Sequence, residues 1–191
     1  MGMKQEDEVL IWQENGKRAL LTTPVFTVFE TDSIASDGQK GSYVIVEPKH
    51  DWVIVVPTVD SKFLMVKQWR HARRALSMEF PGGVMDDGET PEQAAARELR
   101  EETGRSAEHM TFLGTMSPNP ALMSNSVHFF LAENLQQISE QQLDSDEYIH
   151  YMEIEQEAVI ENLGAEEYSH ALTAAALALY MRKKKNMCHT A

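Results

Sequence analysis

The stretch from Gly82 to Gly104 constrains this chain more than any other. It reads Gly82-Gly83-Val84-Met85-Asp86-Asp87-Gly88-Glu89 and then runs from Thr90 to Gly104 with helix signals at both ends. Thr90 stands as an N-cap, Pro91 occupies the first helical position where no N–H is needed, and Gln93 completes a capping box. Gly104 suits a left-handed C-terminal cap. Within the helix, Glu98 precedes Glu101 by three residues and Glu102 by four, so the carboxylates share one face. Like charges at that spacing repel by a few tenths of a kcal/mol per pair. Arg97 and Arg100 offset part of this, and a hard divalent cation offsets more, because Mg2+ takes oxygen ligands from carboxylates and phosphates together. A glycine pair lets backbone approach closely, so the Gly83 carbonyl is a candidate further ligand. Glu-x-x-Glu-Glu alone also describes a solvated helix face. The full pattern is far more specific.

The rest of the chain sets the context. It has 191 residues, enough for one substantial domain, and a formal charge of -13. Such a surface repels nucleic-acid backbones and attracts polyvalent cations, so no nucleic-acid partner is expected. A single cysteine, Cys188, allows no internal disulfide and points to a reducing cytoplasm. The polar first residues lack a signal-peptide core, Glu6 breaks an N-myristoylation motif at Gly2, and no stretch is apolar enough to span a bilayer.

Strands are expected at 25–29, 43–46, 52–56, 63–66, 127–131 and 148–152, where β-branched and aromatic residues cluster. The segment 36–41 reads as a hairpin loop. A long helix is expected over 166–181 and a shorter one over 155–163. Mixed strands with two or three helices imply an α+β sandwich. The seven histidines show no metal-ligand spacing, His128 reads as a strand residue, and the methionines read as core filler. The basic run 182–185 suits the C-terminal end of a helix dipole.

Taken whole, the pattern is G-x5-E-x7-R-E-L-x-E-E-x-G, carried by Gly83, Glu89, Arg97, Glu98, Leu99, Glu101, Glu102 and Gly104. It resembles the box of the Nudix hydrolases, a loop–helix–loop that binds metal and diphosphate. One position departs: Arg105 stands where an apolar residue usually follows the last glycine. The resemblance implies a Nudix-type α/β/α sandwich with a mixed sheet over 51–185, an additional N-terminal antiparallel sheet over 1–50, and a C-terminal tail over 186–191. It implies Mg2+, with Mn2+ as the alternative ion, held by Gly83, Glu98, Glu101 and Glu102. Arg97 would hold the glutamates in place and Glu89 would support them. The proton acceptor would be a box glutamate such as Glu102 or an acid of the later loop, which offers Glu140, Asp144, Asp146 and Glu147. Glu147 resembles the loop glutamate of ADP-ribose-type members.

Three further features are similar to the ADP-ribose and nucleoside diphosphate sugar pyrophosphatase subgroup. Val66-Lys67-Gln68-Trp69-Arg70 resembles its Val-x-Gln-Tyr-Arg strand end, which implies substrate contacts from Gln68 and Arg70. Met78-Glu79-Phe80-Pro81-Gly82-Gly83 resembles its Trp-Glu-Leu-Pro-Ala-Gly entry and adds Glu79. Pro120, fifteen residues after Arg105, matches a subgroup proline. The N-terminal strands resemble those the subgroup uses to form homodimers, with Phe26 or Phe29 as base contacts or, more simply, core residues. The implied reaction is hydrolysis of a small nucleotide sugar or ADP-ribose to a nucleoside monophosphate and a sugar phosphate. Competing readings are hydrolysis of nucleoside triphosphates, dinucleoside polyphosphates or RNA 5' ends, and a non-catalytic nucleotide-sugar sensor. Leu122 and Met123 stand where dinucleoside-polyphosphate members carry a tyrosine, and a sensor would be expected to lose box glutamates.

Overall fold

A computed structural model describes residues 5–188. In chain order the strands and helices are β1 (Trp12–Thr22), β2 (Phe26–Ala35), β3 (Lys40–Pro48), β4 (Trp52–Val59), β5 (Lys62–Arg70), β6 (Ala75–Glu79), β7 (Gly82–Val84), α1 (Pro91–Thr103), β8 (Arg105–Met116), β9 (Val127–Gln137), β10 (Ile149–Glu155), α2 (Gln156–Asn162) and α3 (Ala171–Cys188). The chain divides into two compact units. The first extends to Lys49 and includes Ser117–Asn125; the second comprises His50–Met116 and the chain from Ser126 onward.

The first unit is an antiparallel sheet of order β1-β2-β3. Val46 of β3 donates its N–H to Leu122 O at 2.8 Å and accepts from Ser124 N at 3.2 Å, which ties the 117–125 segment into this unit.

The second unit carries a mixed sheet of order β10-β5-β4-β9-β8, with β6 on β5 and β7 on β4. The β4–β9 pair is parallel and the others are antiparallel. Both faces of the central strands are covered. Val53, Val55, Leu64, Phe130 and Ala132 point to one side and pack with Ala94, Ala95 and Leu99 of α1. Their neighbours Ile54, Val56, Phe63, Met65, Phe129 and Leu131 point to the other, against Val159 of α2 and Ala176, Leu177 and Tyr180 of α3. Alternation of period two inside near-continuous apolar runs marks strands buried on both faces. Each fully buried Leu or Phe contributes roughly 1.5–3 kcal/mol, so the two apolar layers fix α1 firmly against β4 and β9. The fold is the expected mixed α/β/α sandwich with a separate N-terminal antiparallel sheet.

Helix α1 forms with the expected ends. Gln93 N donates to Thr90 Oγ1 at 3.3 Å and Thr90 N to Gln93 Oε1 at 2.9 Å, while Gly104 closes the helix at φ 70°. Elsewhere the boundaries move. The expected helix over 166–181 begins only at Ala171, because Gly164 (φ 91°) opens a turn and Glu166–Tyr168 forms a single 3-10 turn. It then continues through Cys188, so 186–188 of the expected tail are helical and 189–191 lie outside the described residues. Tyr148 stays outside β10 and is 84% exposed. Strands β1 and β8 carry no clear sequence signal. Both are rich in charged and polar side chains, β1 lies largely exposed and β8 only half-buried, so their ladders more than an apolar face define them. No helix among the described residues is long and apolar enough to cross a membrane.

Candidate active site

The packing of α1 against the sheet presents its acidic face beside β7. Arg97 sits at the centre of the resulting network. Its Nε and Nη2 donate to Glu89 at 2.8 and 3.0 Å, Nη1 donates to Glu98 at 2.9 Å and Glu101 at 3.0 Å, and Nη2 also reaches Val84 O at 2.9 Å. Hydrogen bonds from Arg97, above all other causes, hold Glu89 below the usual carboxylate range. The same contacts, those with Glu89 first, raise the guanidinium pKa further.

Glu98 and Glu102 are deeper. Glu102 is 4% exposed and accepts from Gly82 N at 3.0 Å. Burial raises its pKa well above that of an exposed carboxyl, and the charge of Glu98 adds to this against the Gly82 hydrogen bond. Burial likewise pushes Glu98 up to about 7; Arg97 opposes the rise while Glu101 and Glu147 reinforce it. Gly83 faces Glu98 so closely that a Cβ there would stand 2.5 Å from Oε1, so a larger residue would displace the carboxylate from its present position.

The later loop closes the other side. A cavity of about 200 Å3 is lined by Asp86, Arg97, Glu98 and Glu101 from the box and by Gln142, Asp144 and Glu147 from the loop. Glu147 lies near enough for its charge to act on Glu98, Glu102 and Arg70. Its carboxylate accepts from Asp144 N at 3.2 Å, which folds the loop tip back. Glu140 and Asp146 are exposed and do not line the cavity. A larger hollow of about 380 Å3, lined by Asp60, Ser61, Glu155, Gln156, Glu157 and Lys184, contains no box residue.

On β5, Gln68 and Arg70 project from the same face, two residues apart. Arg70 grips Glu79 with Nε at 2.8 Å and Nη2 at 2.6 Å. Glu79 is 1% exposed. Burial works to raise its pKa, but Arg70 and His170 hold it below the usual range. Nδ1 of His170, just ahead of α3, lies 3.1 Å from the Glu79 carboxylate. Glu79 thus anchors Arg70 and leaves Nη1 of the guanidinium for another acceptor. Pro120 belongs to the first unit. His128 bridges Asp51 at 3.0 Å and Thr115 at 2.9 Å, a tie among strand ends.

Sequence reasoning gave no part to Asp86, Gln142 or His170. Asp86 was in view beside Glu89; Gln142 and His170 reach the site only through folding and carry no local signal. Arg105, the departure from the box, donates to Glu153 of β10 at 2.9 Å, so an ion pair replaces the usual apolar packing.

The donor set fits a divalent cation. Glu89, Glu98 and Glu101 converge around Arg97, burial holds Glu98 and the neighbouring Glu102 above their ordinary pKa, and the site carries more negative charge than its cations offset. Among the described residues no three acidic or histidine side chains are already gathered around one point as ligands; Arg97 and the Gly82 N–H now occupy several of the oxygens. The buried Glu98 also gives a pH signature. Its folded pKa is raised above the unfolded value, so in chelator its protonated form stabilises the fold at low pH, and that contribution is lost as pH rises through about 7. Glu98→Gln, which cannot ionise, is therefore expected to match the wild type near pH 4, below the unfolded value, and to exceed it by on the order of 1 kcal/mol or more near pH 8. Calorimetric melting in chelator at both pH values measures this, and a difference that does not change with pH contradicts the burial argument.

An acidic, arginine-centred helix beside a glycine pair, set on a mixed α/β/α sandwich, defines a pyrophosphohydrolase of the Nudix type. The family model described as the NUDIX domain matches residues 48–173, and the chain belongs to that family. It is 32% identical over 162 residues to the ADP-ribose pyrophosphatase of Bacillus subtilis (strain 168), covering 84% of this chain and 88% of that protein. It is 31% identical over 112 residues to the ADP compounds hydrolase NudE of Escherichia coli (strain K12), covering 58% of this chain and 60% of that one. A solved structure titled "Crystal structure of ADP compounds hydrolase" superimposes with a TM-score of 0.83 over 92% of this chain and 95% of its own, at 24% identity, and bears out the fold.

Proposed function

We propose that this enzyme hydrolyses the diphosphate linkage of ADP-ribose or a related nucleoside diphosphate sugar, releasing a nucleoside monophosphate and a sugar phosphate. The observation that carries the reading is the buried Glu102 next to a half-buried Glu98, which touches Gly83 and lines, with Glu101, a cavity that Glu147 closes from the other side. The relatives named for ADP-ribose and ADP compounds support the substrate class.

Glu98, Glu101, Glu102 and the Gly83 carbonyl would hold the Mg2+, with Mn2+ able to replace it. When bound, such an ion screens the diphosphate charge, polarises a P–O bond and lowers the pKa of water. Arg97 keeps Glu89, Glu98 and Glu101 gathered. Arg70, anchored by Glu79, offers Nη1 to a phosphate oxygen, and Gln68 lies beside it on the same strand face. Glu147 takes the proton of the attacking water, since it lines the cavity where Glu140 does not and its charge reaches Glu98 and Glu102. As the water oxygen bonds to one phosphorus, that phosphorus loses the bridging oxygen, which leaves on the other phosphate.

A panel of ADP-ribose, GDP-mannose, UDP-glucose, diadenosine polyphosphates and nucleoside triphosphates with Mg2+ tests the substrate class. ADP-ribose or a nucleotide sugar is expected to exceed the triphosphates by about tenfold or more in kcat/KM. Preference for triphosphates or diadenosine polyphosphates overturns it. The protein is also proposed to be a homodimer through its first unit, whose sheet exposes Trp12, Leu20, Leu21, Tyr43 and Val44. Light scattering that returns the 21.6 kDa mass of one chain would remove that proposal.

A further inference from the structure

Helix α1 ends with carbonyls that have no partner inside the helix, as every α-helix does. Here they lie in the turn that carries Glu101 and Glu102, where the negative end of the helix dipole adds to the carboxylate charge. Donors must therefore come from elsewhere. Gly104 N caps Arg100 O, and the end of β9 with the segment after it supplies donors for the carbonyls that follow. Gln142 N donates to Glu101 O at 2.8 Å, Gln141 Nε2 to Glu102 O at 2.6 Å, and Gln137 Nε2 to Thr103 O at 3.4 Å; Ile138 N and Ser139 N donate to Gly104 O at 2.9 and 3.1 Å.

Gln141 does more than cap. The same Nε2 also reaches Ile149 O at 3.2 Å, at the first residue of β10. One side-chain amide thus joins the box helix to the strand on the far side of the loop. Between its two anchors hang Asp144 and Glu147, the loop acids that line the cavity.

We infer that Gln141 is a positioning residue for catalysis: its amide holds the loop so that Glu147 stands over the box glutamates. The inference rests on the proposed role of Glu147 as proton acceptor. Loosening this link lets the loop drift, and a displacement of about 1 Å at a reacting group costs up to about 100-fold in rate. Glutamine suits the position because both carbonyls need a donor and a neutral side chain adds no charge beside Glu102. Glutamate there has the same size but offers only acceptors.

A double-mutant cycle in kcat for ADP-ribose hydrolysis tests this. Glu147→Gln alone is expected to lower kcat by about 100-fold. Gln141→Ala is expected to lower it by about tenfold or more with KM within twofold, and Gln141→Glu by more. In the Glu147→Gln background, Gln141→Ala should cost less than twofold, because there is no acceptor left to position. Equal losses from Gln141→Ala in both backgrounds, or full activity of folded Gln141→Ala and Gln141→Glu, overturn the inference. Should Gln141→Ala yield no folded protein, the same comparison is made with Gln141→Glu. An inactive wild type, or a Glu147→Gln enzyme as fast as wild type, instead marks failure of the underlying reading and removes the inference with it.

Discussion

Glu102→Gln is expected to lower kcat by about 1000-fold or more, equivalent to about 4 kcal/mol of transition-state stabilisation, while leaving the chain folded. Glu102 is almost wholly buried, and its carboxylate accepts from the Gly82 N–H. A glutamine of the same shape keeps that hydrogen bond through its carbonyl oxygen. It also removes a carboxyl whose ionised form burial and Glu98 disfavour. Activity and stability are thus expected to move in opposite directions: turnover falls, while melting in chelator stays level or rises. Phosphate release and calorimetry on the same preparation measure both. Undiminished turnover would remove Glu102 from the catalytic machinery, and a large loss of stability would mean that the ionised carboxylate holds the fold together.

Arg97→Ala has the second largest expected effect, and it falls on stability first. The guanidinium satisfies Glu89 bidentately, touches Glu98 and Glu101, and caps the Val84 carbonyl, all with a side chain only 18% exposed. Alanine leaves three carboxylates crowded without their cation. The cost is about 2–3 kcal/mol in metal-free protein, below that of a fully buried pair because water still reaches part of the site. Lysine recovers only a fraction, since a single ammonium cannot match so many acceptors in fixed directions. Added Mg2+ should narrow the gap to wild type, because another cation then neutralises the same carboxylates. Chemical denaturation with and without Mg2+ checks this; a deficit under about 0.5 kcal/mol in chelator contradicts the central place given to Arg97.

What the sequence disclosed, and what it withheld, follow from the range of the interactions. Helix α1 was legible to the residue because Thr90, Pro91, Gln93 and Gly104 act on backbone within one turn. Strands β4, β5 and β9 were legible because their β-branched and aromatic residues cluster in short runs. Strand β8 was not: His109 and Glu108 sit on exposed positions, and only pairing with β9 makes the segment a strand. Arg105 looked like a flaw in the box pattern until Glu153 of β10 supplied its partner. The choice among Glu140, Asp144, Asp146 and Glu147 was open for the same reason. Their positions are set by Gln141 and Gln142 gripping the end of α1, a contact across some forty residues of chain that no local spacing reveals.

The most direct measurement is anomalous scattering from Mn2+ in crystals grown with a slowly hydrolysed nucleotide sugar. The account predicts manganese at about 2.0–2.4 Å from oxygens of Glu98 and Glu102, shared with the diphosphate and with Glu147 facing the same cavity. Saturating Mn2+ that leaves these glutamates on Arg97 and Gly82, with the ion sites elsewhere on the acidic surface, would contradict it.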